Sequence, residues 1–335
     1  MWQQSQRVII IKYLVMAFLN ESHIEEADIR FFVENLKYQH INAWEKQHIG
    51  RDSLKEVVLK DRLKDALVNL NQHLPMDCIV YAINELTKNR SGLTPVMANK
   101  EVYQLIRNGV PVTYQNSEGF EQPDYVRVID FEENATKNDF LVVSQLSIEY
   151  LRTNGITRRP DLILYVNGLP LVMIELKNAT EKVKIGYDKN LKDYKQDIPQ
   201  LFWYNLFVGI SNGIQTRVGS FDSTWDHFFT WVKLKDTAVS NDQMDRLEIE
   251  KLSETTQKRL SLKLFGEGLC NKNNLLDYLE NFVLYHKNKV KIIAKNHQYL
   301  GVNNAIESFK HREGKKGKLG VFWHTQGSGK SYSMI

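Results

Sequence analysis

Cysteine is almost missing from this sequence: Cys78 and Cys270 are the two in 335 residues, far apart and without metal-ligand spacing. That excludes a disulfide framework and a cysteine metal knuckle, and it suits a reducing cytoplasm. A strong excess of one charge is missing too. Lys and Arg number 44 against 40 Asp and Glu, a net charge of +4, which permits a polyanionic partner without demanding one. No apolar run is long enough to span a bilayer, which takes about 20 residues. The N-terminal VIIIKYLVMAFL is too short, contains Lys12 and lacks a small-residue cleavage site, so it reads as a core helix and no membrane partner is expected. Internal repeats and low-complexity tracts are absent as well.

What is present is enough apolar sequence, 42% of residues, to build more than one core. Residues 1–100 read as mostly helical, with periodic apolar positions in RFFVENL, LKDALVNL and CIVYAINEL. Over 101–235 the texture turns to short β-rich runs, GVPVTYQ, YVRVIDF and DFLVVSQL, separated by turn-like clusters. Two hairpins with Asn-Gly turns follow, RPDLILYVNGLPLVMIELKN and LFVGISNGIQTRVG, with a polar, helix-prone stretch between them. The order predicts an α/β core around a mixed sheet. Residues 236–286 read as a linker or exposed helix and then a helix over LLDYLENFVLYH; 287–335 hold a basic segment, a helix over HQYLGVNNAIESF and the strand LGVFWHT. The chain ends a few residues after a phosphate-loop-like stretch, so it is expected to be a piece of a longer protein.

The first hairpin raises the chemical question. Asp161 stands at its head, and Glu175 and Lys177 interrupt the end of its apolar run. Ionisable groups at the edge of a buried strand need compensation, and a cation held by two carboxylates is one form of it. Glu175 and Lys177 share one strand face. A clean two-residue turn at Asn167-Gly168 would set Asp161 opposite Ile174; a longer loop or a one-residue bulge would set it opposite Glu175. The odd register is therefore expected. If Asp161 joins Glu175 and Lys177, the two carboxylates can hold Mg²⁺, and Lys177 can sit beside the attacking water or the scissile phosphate. A strand-start Asp and a surface Glu-x-Lys pair is the plain alternative.

Two further groups stand out. In IPQLFWYN, Gln200 and Tyr204 lie one helical turn apart and suit contacts to phosphate oxygens or to the strand end; a packing turn built on Leu201 and Trp203 is the alternative. HTQGSGKS follows an apolar strand and matches a phosphate loop: Thr325, Gly327, Ser328 and Gly329 cradle phosphates, Lys330 reaches the β/γ-phosphates of ATP, and Ser331 ligates Mg²⁺. His324 replaces the usual first glycine. Gln298 could read an adenine edge or simply cap a helix. Nine Lys or Arg between Lys287 and Lys318, against Glu307 and Glu313, form a candidate nucleic-acid face or a solvated surface.

Taken together, RPDLILYVNGLPLVMIELKN, QLFWY and FWHTQGSGKS, in that order, resemble the restriction (R) subunit of type I restriction-modification enzymes. NGVPVTYQ and NDFLVVSQL fit the same family, and the resemblance runs from about residue 80 to the end. It implies a PD-(D/E)xK (RecB-like) nuclease core with a mixed sheet flanked by helices, then the start of a P-loop helicase-like domain. Asp161, Glu175 and Lys177 would be its catalytic triad, Gln200 and Tyr204 its Q-x-x-x-Y motif, and Gln298 its adenine-reading glutamine. It also implies an ATP-dependent endonuclease acting on double-stranded DNA with modification (methyltransferase) and specificity subunits. A further carboxylate on an early helix (Glu21, Glu25 or Glu26) is left unassigned. A nuclease–helicase fusion in repair or phage defence, and a non-catalytic DNA-binding module, are the competing assignments.

Overall fold

The computed structural model describes residues 21–45, 49–132, 136–234, 261, 263–315, 319–321 and 329–334. Helices lead: α1 (Glu21–Arg30), α2 (Lys60–Leu70), α3 (Met76–Thr87) and α4 (Pro95–Asn108). α2 buries Leu63, Ala66 and Leu67, and α3 buries Cys78, Ile79, Ala82 and Leu86; spacings of three and four turn one apolar stripe inward. α4 is punctuated by sequence. The Thr94 side chain accepts from the Met97 N–H, Pro95 opens the first turn, and Gly109 (φ +85°) ends the helix. Its buried Asn99 donates to the carbonyls of Phe202, Trp203 and Asn205, clamping a distant segment to the helix.

The centre is a six-stranded mixed sheet. Its spatial order is β1 (Gln39–Asn42), β4 (Phe140–Ser144), β7 (Leu162–Val166), β8 (Leu169–Leu176), β9 (Phe207–Ser211) and β10 (Thr216–Gly219). β2 (Val110–Gln115) pairs with β3 (Glu121–Val126), β5 (Ile148–Glu149) with β6 (Thr157–Arg158), and β11 (Val283–His286) with β12 (Val290–Ile293). β4, β7, β8 and β9 are buried along their whole length. A sheet covered on both faces needs apolar side chains on both, which is why these strands read as continuous runs. β1, β4, β8 and β9 run one way and β7 the other. The C-terminal ends of four strands and the head of β7 therefore share one edge.

α5 (Lys192–Asp197), α6 (Lys272–Asn281) and α7 (Asn296–Lys310) complete the helices used below. Buried apolar residues from Ile24 to Tyr299 form one continuous cluster. Tyr103 donates to the Leu279 carbonyl at 3.0 Å, and Tyr285 to Asn99 Oδ1 at 2.6 Å. No helix of the described residues is long and apolar enough to cross a membrane.

Several expectations change. The helical N-terminal region contains β1, four residues whose partner β4 lies a hundred positions away. LLDYLENFVLYH divides: α6 stops at Asn281 and Val283–His286 is a strand. β3 begins ahead of YVRVIDF. The Asn212-Gly213 connection is a four-residue loop, with Ser211 paired to Thr216 and the Asn212 side chain accepting from the Ile214 and Gln215 N–H groups. Within the expected basic face, Lys291 is 1% exposed and donates to the Asn205 carbonyl, so it is a core residue. The N-terminal apolar stretch, most of 236–262 and FWHTQGS lie outside the described residues.

Candidate active site

The hairpin of β7 and β8 sets the geometry. Asn167 (φ +50°) and Gly168 (φ +76°) form a two-residue turn with two left-handed residues, the conformation that matches strand twist. The turn is packed inside. Asn167 donates to the Val128 carbonyl and accepts from the Asp139 N–H. A Cβ on Gly168 would stand 2.5 Å from the Leu59 carbonyl oxygen. Val166 pairs with Leu169 and Tyr165 with Pro170, but Leu164 pairs with Val172, so Leu171 bulges out. Proline at 170 offers no ladder donor, which suits a bulge beside it. Past the bulge Leu162 faces Ile174, and one step further Asp161 comes opposite Glu175. The turn is short and the register odd, as the charged hairpin requires.

At that edge Asp161 Oδ2 accepts from the Leu176 N–H at 2.6 Å. Lys177 Nζ donates to Glu175 Oε1 at 2.8 Å and to the Leu176 carbonyl at 2.6 Å. Glu175 is 1% exposed, and its second oxygen, Oε2, is buried with no hydrogen-bond partner. Burial first, then the neighbouring Glu175 charge, pushes Asp161 up to about 8. Burial pushes Glu175 up to about 7 against the lowering effect of Lys177. Burial would lower the Lys177 ammonium, but Glu175, Glu21 and Asp161 outweigh it and raise it. Two facing carboxylates, one with an orphaned oxygen, lack positive charge.

Neighbouring elements close the site. α1 brings Glu21 Oε1 to 3.8 Å from Lys177 Nζ, and the Glu21 N–H donates to the Asn178 side chain. One turn on, Glu25 Oε2 accepts from Gln145 Nε2 at 2.7 Å, and Gln145 N–H donates to the Asp161 carbonyl. Burial raises the Glu25 carboxyl. Glu26 is exposed. A π-helical turn, Gly186–Leu191, passes over the pair. A Cβ on Gly186 would lie 2.7 Å from Ile210 Cγ2 and 3.5 Å from Glu175 Cγ. Tyr194 on α5 reaches Glu175 and favours its charged form. Sequence inspection missed Gln145 and Tyr194. A left-handed non-glycine residue right after a buried strand (Gln145, φ +57°) is a signal visible only in the backbone.

The residues fit a divalent cation in part. Hard oxygen donors of opposite strands converge, and the orphaned Glu175 oxygen is the position where a cation would replace a missing partner. Among the described residues no group of three Asp, Glu, His or Cys side chains comes together to hold a metal ion. Remaining ligands would be water, oxygens of a bound substrate or backbone carbonyls.

Gln200 and Tyr204 sit elsewhere. They lie on and just after a 3₁₀ turn, Pro199–Trp203, and both are buried. Gln200 Nε2 donates to the carbonyls of Glu149 (3.0 Å) and Lys55 (3.3 Å), and the Tyr204 hydroxyl to that of Leu86 (3.0 Å). Neither makes a hydrogen bond to Asp161, Glu175 or Lys177. Gln200 instead holds β5, whose partner β6 leads through Arg159 and Pro160 into Asp161. Of the phosphate-loop residues, Thr325, Gly327 and Ser328 lie outside the described residues. Gly329 is left-handed (φ +83°), and Lys330 and Ser331 are exposed on a 3₁₀ turn, Lys330–Met334. Gln298 caps α7: its Oε1 accepts from the Lys295 N–H, while Nε2 donates to the Gly329 carbonyl at 3.1 Å.

Comparison with known proteins gives this arrangement a family. Residues 18–227 match the family described as type I restriction enzyme R protein N terminus, and residues 297–335 match SWI2/SNF2 ATPase. The chain is 36% identical over 294 residues to the type I restriction enzyme HindI endonuclease subunit of Haemophilus influenzae, covering 85% of this chain and 26% of that protein. It is 32% identical over 333 residues to the provisionally named type I restriction enzyme MjaIXP endonuclease subunit of Methanocaldococcus jannaschii, covering 95% and 31%. The chain belongs to the type I restriction enzyme R subunit family, as part of its N-terminal region. It spans about a third or less of the length of these relatives.

Proposed function

We propose that this chain carries the DNA-cutting centre of a type I restriction enzyme and hydrolyses phosphodiester bonds of double-stranded DNA. The observation that carries the proposal is the bulged register that sets Asp161 opposite Glu175, with Glu175 Oε2 buried and unpartnered. Asp161 and Glu175 would hold Mg²⁺. Bound there, Mg²⁺ supplies Lewis-acid polarisation and lowers the pKa of water. The chain's own residues do the rest. Lys177 makes two hydrogen bonds and has a third N–H for the non-bridging oxygen of the scissile phosphate, where negative charge grows. The Leu176 N–H orients Asp161, and Tyr194 lies near enough to Glu175 to favour its charged form. Glu175 first, then Glu21, favour the charged form of Lys177 at the edge.

The relatives' names as endonuclease subunits of type I restriction enzymes support this assignment, and imply modification and specificity subunits as partners. The match of residues 297–335 to an ATPase supports ATP binding at Gly327, Lys330 and Ser331 in the full-length subunit. The test is Asp161→Ala and Lys177→Ala in that subunit, assembled with its partners. Each variant is expected to lose DNA cleavage by 10³-fold or more, as about 4 kcal/mol of transition-state stabilisation implies, while ATP hydrolysis persists. Cleavage near the wild-type rate in either variant removes the assignment.

A further inference from the structure

Arg158 and Arg159 stand side by side before Pro160 and Asp161, yet the fold treats them differently. Arg158 is paired: its guanidinium meets Asp197 at 2.7 Å and Asp193 at 3.4 Å. Arg159 is exposed and has no ion-pair partner among the described residues. Its guanidinium carbon sits over the indole of Trp44, 4.3 Å from the ring centroid. Trp44 is itself 61% exposed, an unusual place for the largest apolar side chain.

Both residues are anchored through their backbones at the edge that bears the carboxylates. Ala43 N–H donates to the Ser144 carbonyl at the end of β4, and Trp44 N–H donates to Asn42 Oδ1 at 3.0 Å. The Arg159 carbonyl accepts from Tyr194, the hydroxyl that also reaches Glu175. Glu25 on α1 lies within electrostatic reach of Arg159. The backbone is held and the side chains are left in solvent. A guanidinium stacked on an aromatic face keeps its in-plane N–H fork free, and that fork matches two oxygens of a phosphate. Stacking also removes part of the rotamer freedom that a free arginine would lose on binding.

We propose that Trp44 and Arg159 form a clamp for the DNA backbone. Arg159 takes the phosphodiester next to the one being cut, and Trp44 holds the guanidinium in place while packing against the adjoining deoxyribose. The proposal rests on the nuclease assignment above. Because phosphate and sugar carry no direct sequence information, the clamp holds any DNA in place for cutting. Trp44 is the positioning residue and Arg159 the contacting one.

The test uses the assembled, full-length enzyme with plasmid DNA, Mg²⁺ and ATP, reading cleavage rate and ATP hydrolysis at several salt concentrations. Arg159→Ala is expected to cut about tenfold more slowly at low salt, with a deficit that narrows as salt rises because one phosphate contact fewer flattens the salt dependence, while ATP hydrolysis and melting temperature stay unchanged. Arg159→Lys recovers part of the rate. Trp44→Ala slows cutting about threefold, and Trp44→Phe restores it to within twofold. Wild-type cleavage by Arg159→Ala across the salt range overturns the clamp. So does a loss accompanied by a lowered melting temperature that Lys fails to rescue, since that marks a structural role. Asp161→Ala, run in parallel, separates the two ideas. If it still cuts, the nuclease assignment falls; if it is dead while Arg159→Ala cuts normally, only the clamp falls.

Discussion

Asp161 and Glu175 face each other in a buried edge where the protein alone offers too little positive charge for both to ionise. Their raised values, about 8 and about 7, mean that the folded, metal-free chain holds protons an unfolded carboxyl has released above about pH 5. The folded state therefore binds more protons, and stability present in acid is lost as pH rises through 7 to 8. Melting curves without divalent metal should show that fall, and Asp161→Asn should flatten it. A variant profile as steep as the wild type would contradict the burial argument. Metal binding must displace the same protons, so Mg²⁺ or Mn²⁺ affinity should climb between pH 6 and 9 and level off above. Titration calorimetry at three pH values checks the direction.

Lys291 has the opposite sign. Burial lowers its ammonium to about 7, against the opposing Asp222 charge. Between pH 7 and about 10.5 the unfolded chain binds more protons, so this residue's contribution improves as pH rises through that window and is at its worst below it. Lys291→Met should raise the melting temperature at pH 6.5 by a few degrees, with the gain shrinking toward pH 10. The Asn205 carbonyl keeps its bond from Asn99 in the variant. A lower melting temperature at pH 6.5 would show that the Lys291 hydrogen bond outweighs its burial.

At the scale of elements, the turn between β7 and β8 decides whether the site exists. Gly168 and Gly119 are both left-handed, but Gly168 is pressed against the backbone of α2 and its approach while nothing lies within 4 Å of a Cβ on Gly119. Gly119→Ala bears strain alone, about 1 kcal/mol. Gly168→Ala adds a backbone clash and should cost about 3 kcal/mol or more. Urea unfolding of the two variants distinguishes them, and equal costs would mean the turn is less rigidly seated than its contacts imply.

The same hairpin shows what sequence can carry. Its Asn-Gly turn, the length of its apolar runs and the placement of three ionisable groups were enough to expect an odd register, because period-two alternation leaves few ways to bring Asp161 to Glu175. Helices α2, α3 and α7 were legible because periodicity is local, whereas α4 runs on to Asn108, into the stretch read as short β-rich runs. What was not legible depends on partners far along the chain. β1 is four residues long and becomes a strand only beside β4. α6 gives way to β11 inside one apolar run because β12 waits to pair with it. Gln200 lies on a 3₁₀ turn that ends just before Tyr204 rather than on an α-helical turn with it, and their hydrogen bonds go to the carbonyls of Glu149, Lys55 and Leu86, which no spacing rule could reveal. Glu21 and Glu25 were visible as acidic residues; that they face Lys177 and Gln145 follows from where α1 packs.

Across the whole molecule, late segments of the described chain pack on the same core as its middle: Tyr285 bonds Asn99 and Lys291 bonds Asn205. The part matching an ATPase begins in α7, which follows directly on β12, and Gln298 bonds Gly329 at its far side. Cutting and ATP use should nevertheless separate genetically in the full-length subunit. Lys330→Ala is expected to abolish ATP hydrolysis by removing the charge proposed to reach the β/γ-phosphates, whereas Asp161→Ala leaves it intact. Loss of ATP hydrolysis in Asp161→Ala would show instead that the hairpin serves the motor.

The most direct measurement of the central claim is anomalous diffraction from crystals of the protein grown with a short DNA duplex and Mn²⁺. The account predicts a peak between the carboxylates of Asp161 and Glu175, beside the buried Oε2, and its loss in Glu175→Gln. A DNA-bound crystal with no peak there, or with the metal elsewhere and the two carboxylates apart, would contradict it.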